Sequence, residues 1–142
     1  MRTIHSSTYG ELEIDEEQIY RFDTEILGIA GIYEYGLMPL GDTPFFVLHA
    51  LEEDVSFILL PAEQAVSEYS FKINQEVVEL LGLKSGEDAG VMLIVNISGG
   101  ELFVNMRAPL LFSPEIHKAH QFIITDQELP LRFPLQRRKE EA

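Results

Sequence analysis

The chain contains no cysteine among its 142 residues. It therefore has no disulfide framework, no thiolate nucleophile and no cysteine ligands for a metal. It also has no apolar run approaching the roughly 20 residues that a membrane-spanning helix needs. Residues 1–5 do not begin a long apolar segment of the kind found in signal peptides. We therefore expect a cytoplasmic protein without a membrane span.

Lysine and arginine are also missing between Arg21 and Lys72. The same segment holds nine acidic residues: Asp23, Glu25, Glu34, Asp42, Glu52, Glu53, Asp54, Glu63 and Glu68. The whole chain has a formal net charge of −14. A surface of this sign repels phosphate backbones and attracts positively charged partners. The charge argues against direct nucleic acid binding and favours a basic protein as partner, while solubility alone also accounts for an acidic surface.

The length and composition indicate one packed domain. A chain of this size buries most of its apolar surface in a single core, and 46% of the residues are hydrophobic. The neutral last third ends in Gln-Arg-Arg-Lys-Glu-Glu-Ala, residues 136–142. We assign residues 1–135 to the domain and 136–142 to a charged, flexible C-terminal tail.

The hydrophobic pattern is mainly that of short β-strands. The predicted strands are residues 32–40, 45–50, 55–60, 91–95, 102–107 and 119–125. Residues 98–101 suit a hairpin with a four-residue loop, and Pro130 and Pro134 are expected to end regular structure. Short strands separated by turn signals predict a mainly β, single-domain fold, either a small β-barrel or a sandwich.

A few short helices accompany these strands. Asn74 is a good N-cap for a helix that ends at Gly82. Residues 15–18 predict one helical turn with a capping box, and residues 61–67 predict another short helix.

The sequence offers little for catalysis. It contains no Gly-x-Ser-x-Gly nucleophile motif and no glycine loop followed by a phosphate-binding lysine. Glu115, His117 and His120 are close in sequence, but zinc needs three or four ligands and a loop or hairpin is predicted there. His49, at the end of a predicted strand, is expected to be half-buried and structural. We expect no enzyme, metal or cofactor; the alternative is a small-ligand or metal-binding β-barrel with a pocket near one of these histidines.

Several stretches, in order, resemble one known family. They are residues 9–14, 19–22, 44–50, 55–61, 69–71, 80–83, 105–112, 118–124 and 131–135. The most specific is Asn-Met-Arg-Ala-Pro-Leu-Leu-Phe at 105–112. These stretches are similar to the flagellar assembly factor FliW family over roughly residues 9–135. At residues 25–29 the family favours a Gly-Leu-Pro-Gly-Phe-type turn, of which this chain keeps only Gly28 and the apolar character.

The resemblance implies a small β-barrel without catalytic activity that works by protein–protein binding. Members of the family bind flagellin in the cytoplasm. When free of flagellin, they bind and antagonise CsrA, an RNA-binding repressor of flagellin translation. The expected partners of this chain are therefore flagellin and CsrA, and its acidic bias suits a basic RNA-binding protein.

Three sets of residues are candidates for partner contact. Glu52, Glu53 and Asp54 form a dense acidic turn, which we assign to the basic partner. Asn105, Arg107 and Pro109 either shape a partner-facing loop or fix a corner of the barrel, because Asn and Pro often satisfy turns. The resemblance implies that flagellin offers amphipathic helices, which need an exposed apolar groove. Leu27, Ile29 and Ile32 are the candidates for that groove, with burial in the core as the alternative.

Overall fold

The computed structural model describes residues 2–66, 69–84 and 88–135. Within these residues eleven strands form: β1 Arg2–Ser6, β2 Gly10–Ile14, β3 Ile19–Phe22, β4 Glu34–Pro39, β5 Phe46–Ala50, β6 Ser56–Pro61, β7 Gly90–Ser98, β8 Glu101–Val104, β9 Leu110–Ser113, β10 Lys118–Gln121 and β11 Phe133–Pro134. Helices α1 (Ala62–Ala65) and α2 (Gln75–Leu80) are short, and a 3-10 turn spans Glu16–Gln18. None of the helices in the described residues is long and apolar enough to cross a membrane.

Seven strands close into a barrel in the order β7-β6-β5-β4-β3-β10-β9, with β9 pairing back onto β7. Neighbouring strands are antiparallel except for β3 and β10, which are parallel. Closure depends on the length of β7, which pairs with β9 through Gly90–Met92 and with β8 through Val95–Ser98. The mainly β, single-domain barrel predicted for the chain is confirmed.

Alternate residues of these strands fill the barrel. The buried cluster comprises Tyr20, Phe22, Ile26, Tyr35, Leu48, Ala50, Leu59, Leu110, Phe112 and Ala119. Aromatic rings contact one another in this interior, as between Phe22 and Tyr35, whose centroids lie 5.3 Å apart. The hydroxyl of Tyr35 has no hydrogen-bond partner among the described residues, and burial raises its pKa to about 12.

Other elements cover most of the outer wall of the barrel. The β1–β2 hairpin packs on β4, where a Cβ on Gly36 would lie only 2.5 Å from Cδ1 of Ile14. Helix α1 and residues 129–135 cover β6, β7 and β8, and α2 packs against Leu111 of β9. On the outer side of β3 and β10, Arg21 and Lys118 stay exposed, while Ile19 and His120 are half-buried. This part of the wall is therefore accessible to a partner.

The predicted helices are confirmed. The side chain of Asn74 accepts the Val77 amide at 2.9 Å, and Gly82 follows the helix with a φ of +65°. The amide of Asp15 donates to Oε1 of Gln18 at 2.8 Å, as a capping box requires. Helix α1 falls within residues 61–67, of which residue 67 lies outside the described residues.

Several predicted boundaries are wrong. Ser98 pairs with Glu101, so the hairpin has a two-residue turn, Gly99-Gly100, whose φ angles of +60° and +81° favour glycine. Strand β8 ends at Val104, where the chain enters the bend at residues 106–108, and β10 ends at Gln121. The hydrophobic pattern did not predict strands β1, β2, β3, β9 and β11, and Pro134 lies inside the short β11. The predicted tail, residues 136–142, lies outside the described residues.

Candidate partner-binding surfaces

The acidic turn joins β5 to β6. It lies at one end of the accessible part of the barrel wall, which β3 and β10 form. Its backbone is held by the Ala50 amide, which donates to the Val55 carbonyl at 2.9 Å. Glu52 and Glu53 are exposed and border a shallow cavity of about 250 Å³. The structure thus presents two neighbouring carboxylates to solvent beside a depression.

One cation shares this cavity with the acidic turn. Arg21 lies 3.6 Å from Glu34 and sits over the ring of Tyr33, with 6.0 Å from its guanidinium carbon to the ring centroid. Both side chains of the ion pair are about half exposed or more, so the pair contributes little to stability. Arg21 partly neutralises the charge of Glu34. Glu52 and Glu53 have no ion-pair partner among the described residues.

Asp54 differs from its two neighbours because its carboxylate contacts other residues of the same chain. Its Oδ1 accepts the Ser7 amide at 3.2 Å and lies 3.7 Å from Nε2 of His49. Hydrogen bonds from the side chain and the backbone amide of Ser7 lower the pKa of Asp54, with a further contribution from His49. Asp54 therefore ties the acidic turn to the tip of the β1–β2 hairpin.

His49 is fully buried, so the expectation of a half-buried side chain is wrong. The hairpin causes this burial, since Tyr9 packs edge-on against the imidazole with ring centroids 6.5 Å apart. Nδ1 lies 2.8 Å from the Ala50 carbonyl, which only accepts, so Nδ1 carries a proton. Nε2 has no hydrogen-bond partner among the described residues.

The other two candidate histidines, His117 and His120, lie next to or on β10, across the closed sheet from β5. Nδ1 of His120 is 2.7 Å from Oδ1 of Asp23, and Nδ1 of His117 is 3.3 Å from the Ile19 carbonyl. Glu115 is exposed and precedes both. The described residues contain no group of three or more side chains that would hold a metal.

Polar groups of the loop at residues 105–109 form hydrogen bonds within the domain. Oδ1 of Asn105 accepts the amides of Arg107 and Ala108 at 2.9 and 3.2 Å. Nε of Arg107 donates to the Leu129 carbonyl at 3.0 Å, and the Pro109 carbonyl accepts the Phe122 amide at 2.9 Å. These contacts give the loop a definite structural role at the point where the chain passes from β8 to β9.

The apolar candidates divide into one exposed side chain and two that are partly buried. Leu27 is 69% exposed, which excludes burial in the core, and its amide donates to Oε1 of Gln121 at 2.8 Å. Ile29 is half-buried in the same turn, and Ile32 packs against the barrel core. Leu27 is therefore the member of the set that is available to a partner.

A larger groove lies beside His120, where the small-ligand alternative predicted a pocket near one of the histidines, and it was not predicted as a partner surface. It has a volume of about 750 Å³ and lies between α2 and the chain from His120 to Ile123. The exposed acids Glu76 and Glu79 face it, three residues apart on one side of α2. That spacing was a usable signal, but the parallel pairing of β10 with β3 that positions the opposite wall was not visible in the sequence.

Fold and surfaces together define a small closed β-barrel whose candidate sites are exposed surfaces. The chain matches the model of the FliW protein family over residues 3–135. It is 32% identical over 136 residues to the flagellar assembly factor FliW of Carboxydothermus hydrogenoformans, a match that spans 93% of this chain and 88% of the relative. The chain therefore belongs to the FliW family.

Further relatives and a solved structure agree. The flagellar assembly factors FliW of Caldicellulosiruptor saccharolyticus and Bacillus subtilis are 29% and 28% identical to the chain, and both matches span 93% of it. These matches cover 89% and 95% of the two relatives. A crystal structure of the flagellar assembly factor FliW superposes with a TM-score of 0.87 over 96% of this chain and 99% of that one. At 22% identity, this likeness bears on the fold.

Proposed function

We propose that the protein is a flagellar assembly factor that acts by protein–protein binding in the cytoplasm. It binds flagellin and, when free of flagellin, binds CsrA and relieves the repression of flagellin translation. Membership of the FliW family supports the role in flagellar assembly. The observation that carries the CsrA assignment is the exposed pair Glu52 and Glu53, which have no ion-pair partner among the described residues.

The acidic turn suits a basic RNA-binding partner on physical grounds. Opposite charge raises the rate of encounter, since a net charge of −14 steers a cationic protein toward the domain. Once the two proteins have bound, carboxylates beside an RNA-binding surface repel the phosphate backbone of the message. Docking therefore opposes RNA binding electrostatically as well as sterically.

The candidate residues take different parts in this proposal. Glu52 and Glu53 contact the basic partner, while Asp54 holds their turn against the hairpin. Asn105, Arg107 and Pro109 support the surface from within. Leu27, with Ile29 beneath it, provides an apolar contact for flagellin, because the side chain of Leu27 is exposed and its turn is fixed by Gln121.

Calorimetric titration with purified CsrA and flagellin tests the proposal. Each partner is added alone and then in the presence of the other, at low and at high salt. The double variant E52K/E53K is compared with E16K/E17K, which reverses an equally exposed pair at the other end of β3. We expect the Glu52–Glu53 reversal to weaken CsrA binding roughly tenfold or more at low salt, and less at high salt.

Two results would contradict the proposal at different levels. If E52K/E53K and E16K/E17K weaken CsrA binding equally, the acidic turn is not the contact and only the net charge matters. If neither CsrA nor flagellin binds the wild-type protein, the proposed function is wrong for this chain.

A further inference from the structure

The cavity beside the acidic turn is bordered by three carboxylates and one cation. Glu52 and Glu53 come from the turn, and Glu34 begins β4. The Leu51 amide donates to the Glu34 carbonyl at 3.3 Å, which places the start of β4 directly beside the turn. Among the described residues that line the cavity, Arg21 is the only lysine or arginine. With a volume of about 250 Å³, the cavity has room for the end of one long side chain.

An aromatic side chain, that of Tyr33, also lines this cavity and is 38% exposed. The Phe22 amide donates to the Tyr33 carbonyl at 2.7 Å, which fixes the backbone of Tyr33 beside β3. The Tyr33 hydroxyl donates to Oε2 of Glu25 at 3.5 Å, and the same oxygen accepts the Gly31 amide at 2.6 Å. The ring is therefore held in place by the chain itself, before any partner binds.

Carboxylates beside an aromatic ring recognise a guanidinium group better than an ammonium group. The planar guanidinium donates parallel hydrogen bonds to a carboxylate and stacks on an aromatic face. The ammonium of lysine is more compact and more strongly hydrated, so it gains less from the ring. The cavity therefore has the chemistry of a site for arginine.

The chain places a guanidinium group of its own in this site. The guanidinium carbon of Arg21 lies 6.0 Å from the centroid of the Tyr33 ring, and Nη1 lies 3.6 Å from Oε2 of Glu34. The Arg21 side chain is 65% exposed, and Glu34 is its only ion-pair partner among the described residues. Exposed contacts of this kind are weak, so a partner can displace Arg21. Until then, Arg21 covers the ring and repels a second cation.

From these observations we propose that the cavity beside the acidic turn binds an arginine side chain of a basic partner, and that Arg21 occupies this site in the free protein and competes with that partner. The inference rests on the proposed function and deepens it, because it assigns Tyr33 and Glu34 as specificity-determining residues beside Glu52 and Glu53. Binding of the partner then requires Arg21 to leave the ring of Tyr33.

Removal of the Arg21 side chain tests the competition. The variant is R21Q, which keeps the backbone amide that donates to the His117 carbonyl at 3.0 Å. The matched control is K118Q, because Lys118 lies opposite Arg21 in the β3–β10 register, is exposed and does not line the cavity. Each variant loses one positive charge, so the two have the same net charge. The probes are the fluorescent peptides Gly-Arg-Gly-Arg-Gly and Gly-Lys-Gly-Lys-Gly, read by anisotropy at low salt.

We expect R21Q to bind the arginine peptide roughly fivefold more tightly than the wild type does, because the ring of Tyr33 and the carboxylate of Glu34 are freed. K118Q should bind it within about twofold of the wild type, since only the net charge changes. The lysine peptide should gain no more from R21Q than from K118Q. The gain for arginine should persist in R21Q/Y33F, which keeps the ring, and should be lost in R21Q/Y33L. Circular dichroism checks that every variant is folded.

Three results would overturn the proposal. Equal binding of the arginine peptide by R21Q and K118Q would mean that only net charge matters. Weaker binding by R21Q than by the wild type would mean that Arg21 supports the site instead of competing for it. An equal gain for the lysine peptide, or a gain that survives in R21Q/Y33L, would mean that the ring of Tyr33 does not select arginine.

Titration with CsrA and flagellin separates this inference from the proposed function. If the wild type binds CsrA, and R21Q binds it no more tightly than K118Q does, the arginine site fails while the function stands. If R21Q gains affinity for the arginine peptide but the wild type binds neither protein, the function fails while the arginine site stands.

Discussion

Two segments of the molecule, the acidic turn at 52–54 and the loop at 105–109, are both candidates for partner contact in the sequence and differ in structure. In the loop, Asn105 and Arg107 use their side chains on the backbone of the same domain. In the turn, Glu52 and Glu53 face solvent, and Asp54 alone bonds within the protein. The side chains of the loop form their hydrogen bonds within the domain, whereas Glu52 and Glu53 of the turn face solvent.

This difference separates residues that maintain the fold from residues that are available to a partner. A buried amide that loses its acceptor costs free energy, so the contacts of Asn105 matter to stability. An exposed carboxylate is well hydrated and loses little when its charge is reversed. Substitutions should therefore show a gradient in stability from the loop to the turn.

The largest loss of stability is expected for N105A. It removes the acceptor of two amide hydrogen bonds in a half-buried loop, so we expect the free energy of unfolding to fall by about 2 kcal/mol. Urea denaturation measures the loss, with N96A as the control because Asn96 is exposed on β7. Equal losses in the two variants would remove the distinction between a structural asparagine and a surface one.

A smaller loss is expected for R107K. Lysine keeps the positive charge but cannot reproduce the bond from Nε of Arg107 to the Leu129 carbonyl. We expect the free energy of unfolding to fall by about 1 kcal/mol in the same denaturation experiment. An unchanged stability combined with weaker partner binding would instead make Arg107 a contact residue.

Asp54 should make a pH-dependent contribution to stability. The Ser7 hydrogen bonds lower its pKa below the ordinary value of 3.8, so the folded state favours the carboxylate. This stabilisation is present above 3.8 and is lost as the pH falls through the lower native pKa.

The measurement for Asp54 is the stability difference between wild type and D54N from about pH 6 to pH 2. We expect the wild type to be the more stable at pH 6 and the difference to shrink as the pH falls. D42N, in the exposed β4–β5 turn, is the control for replacing an exposed aspartate with asparagine. A constant difference would mean that Asp54 is as solvated as Glu52 and Glu53.

The fold was largely predictable from the sequence because local signals determine much of it. Short apolar runs bounded by turn signals identified the strands of the β4-β5-β6 meander, and Asn74 and Gly82 marked the ends of α2. Strand β9 was missed because its four buried residues, Leu110–Ser113, form too short an apolar run for the pattern to identify as a strand. The parallel pairing of β10 with β3 also escaped, since it joins residues almost a hundred positions apart.

The surfaces were less predictable, because exposure depends on contacts between distant segments. Nothing near His49 in the sequence indicates that Tyr9 will cover it. Leucine is usually a core residue, but Leu27 is 69% exposed. Its neighbour Ile26 is the residue of this turn that packs in the core. The acidic turn was recognisable from charge alone, but only the link from Asp54 to Ser7 separates its third carboxylate from the other two.

The smallest change in stability is expected for E52K/E53K. Both side chains are exposed, and neither has an ion-pair partner among the described residues, so we expect the free energy of unfolding to stay within about 0.5 kcal/mol of the wild type. Urea denaturation beside E16K/E17K measures it. If E52K/E53K alone destabilises the protein, these carboxylates support the fold as Asn105 does, and weaker CsrA binding by that variant would no longer identify a contact. If stability is unchanged while CsrA binding falls, the loss of affinity belongs to the surface, because the fold that presents it is intact.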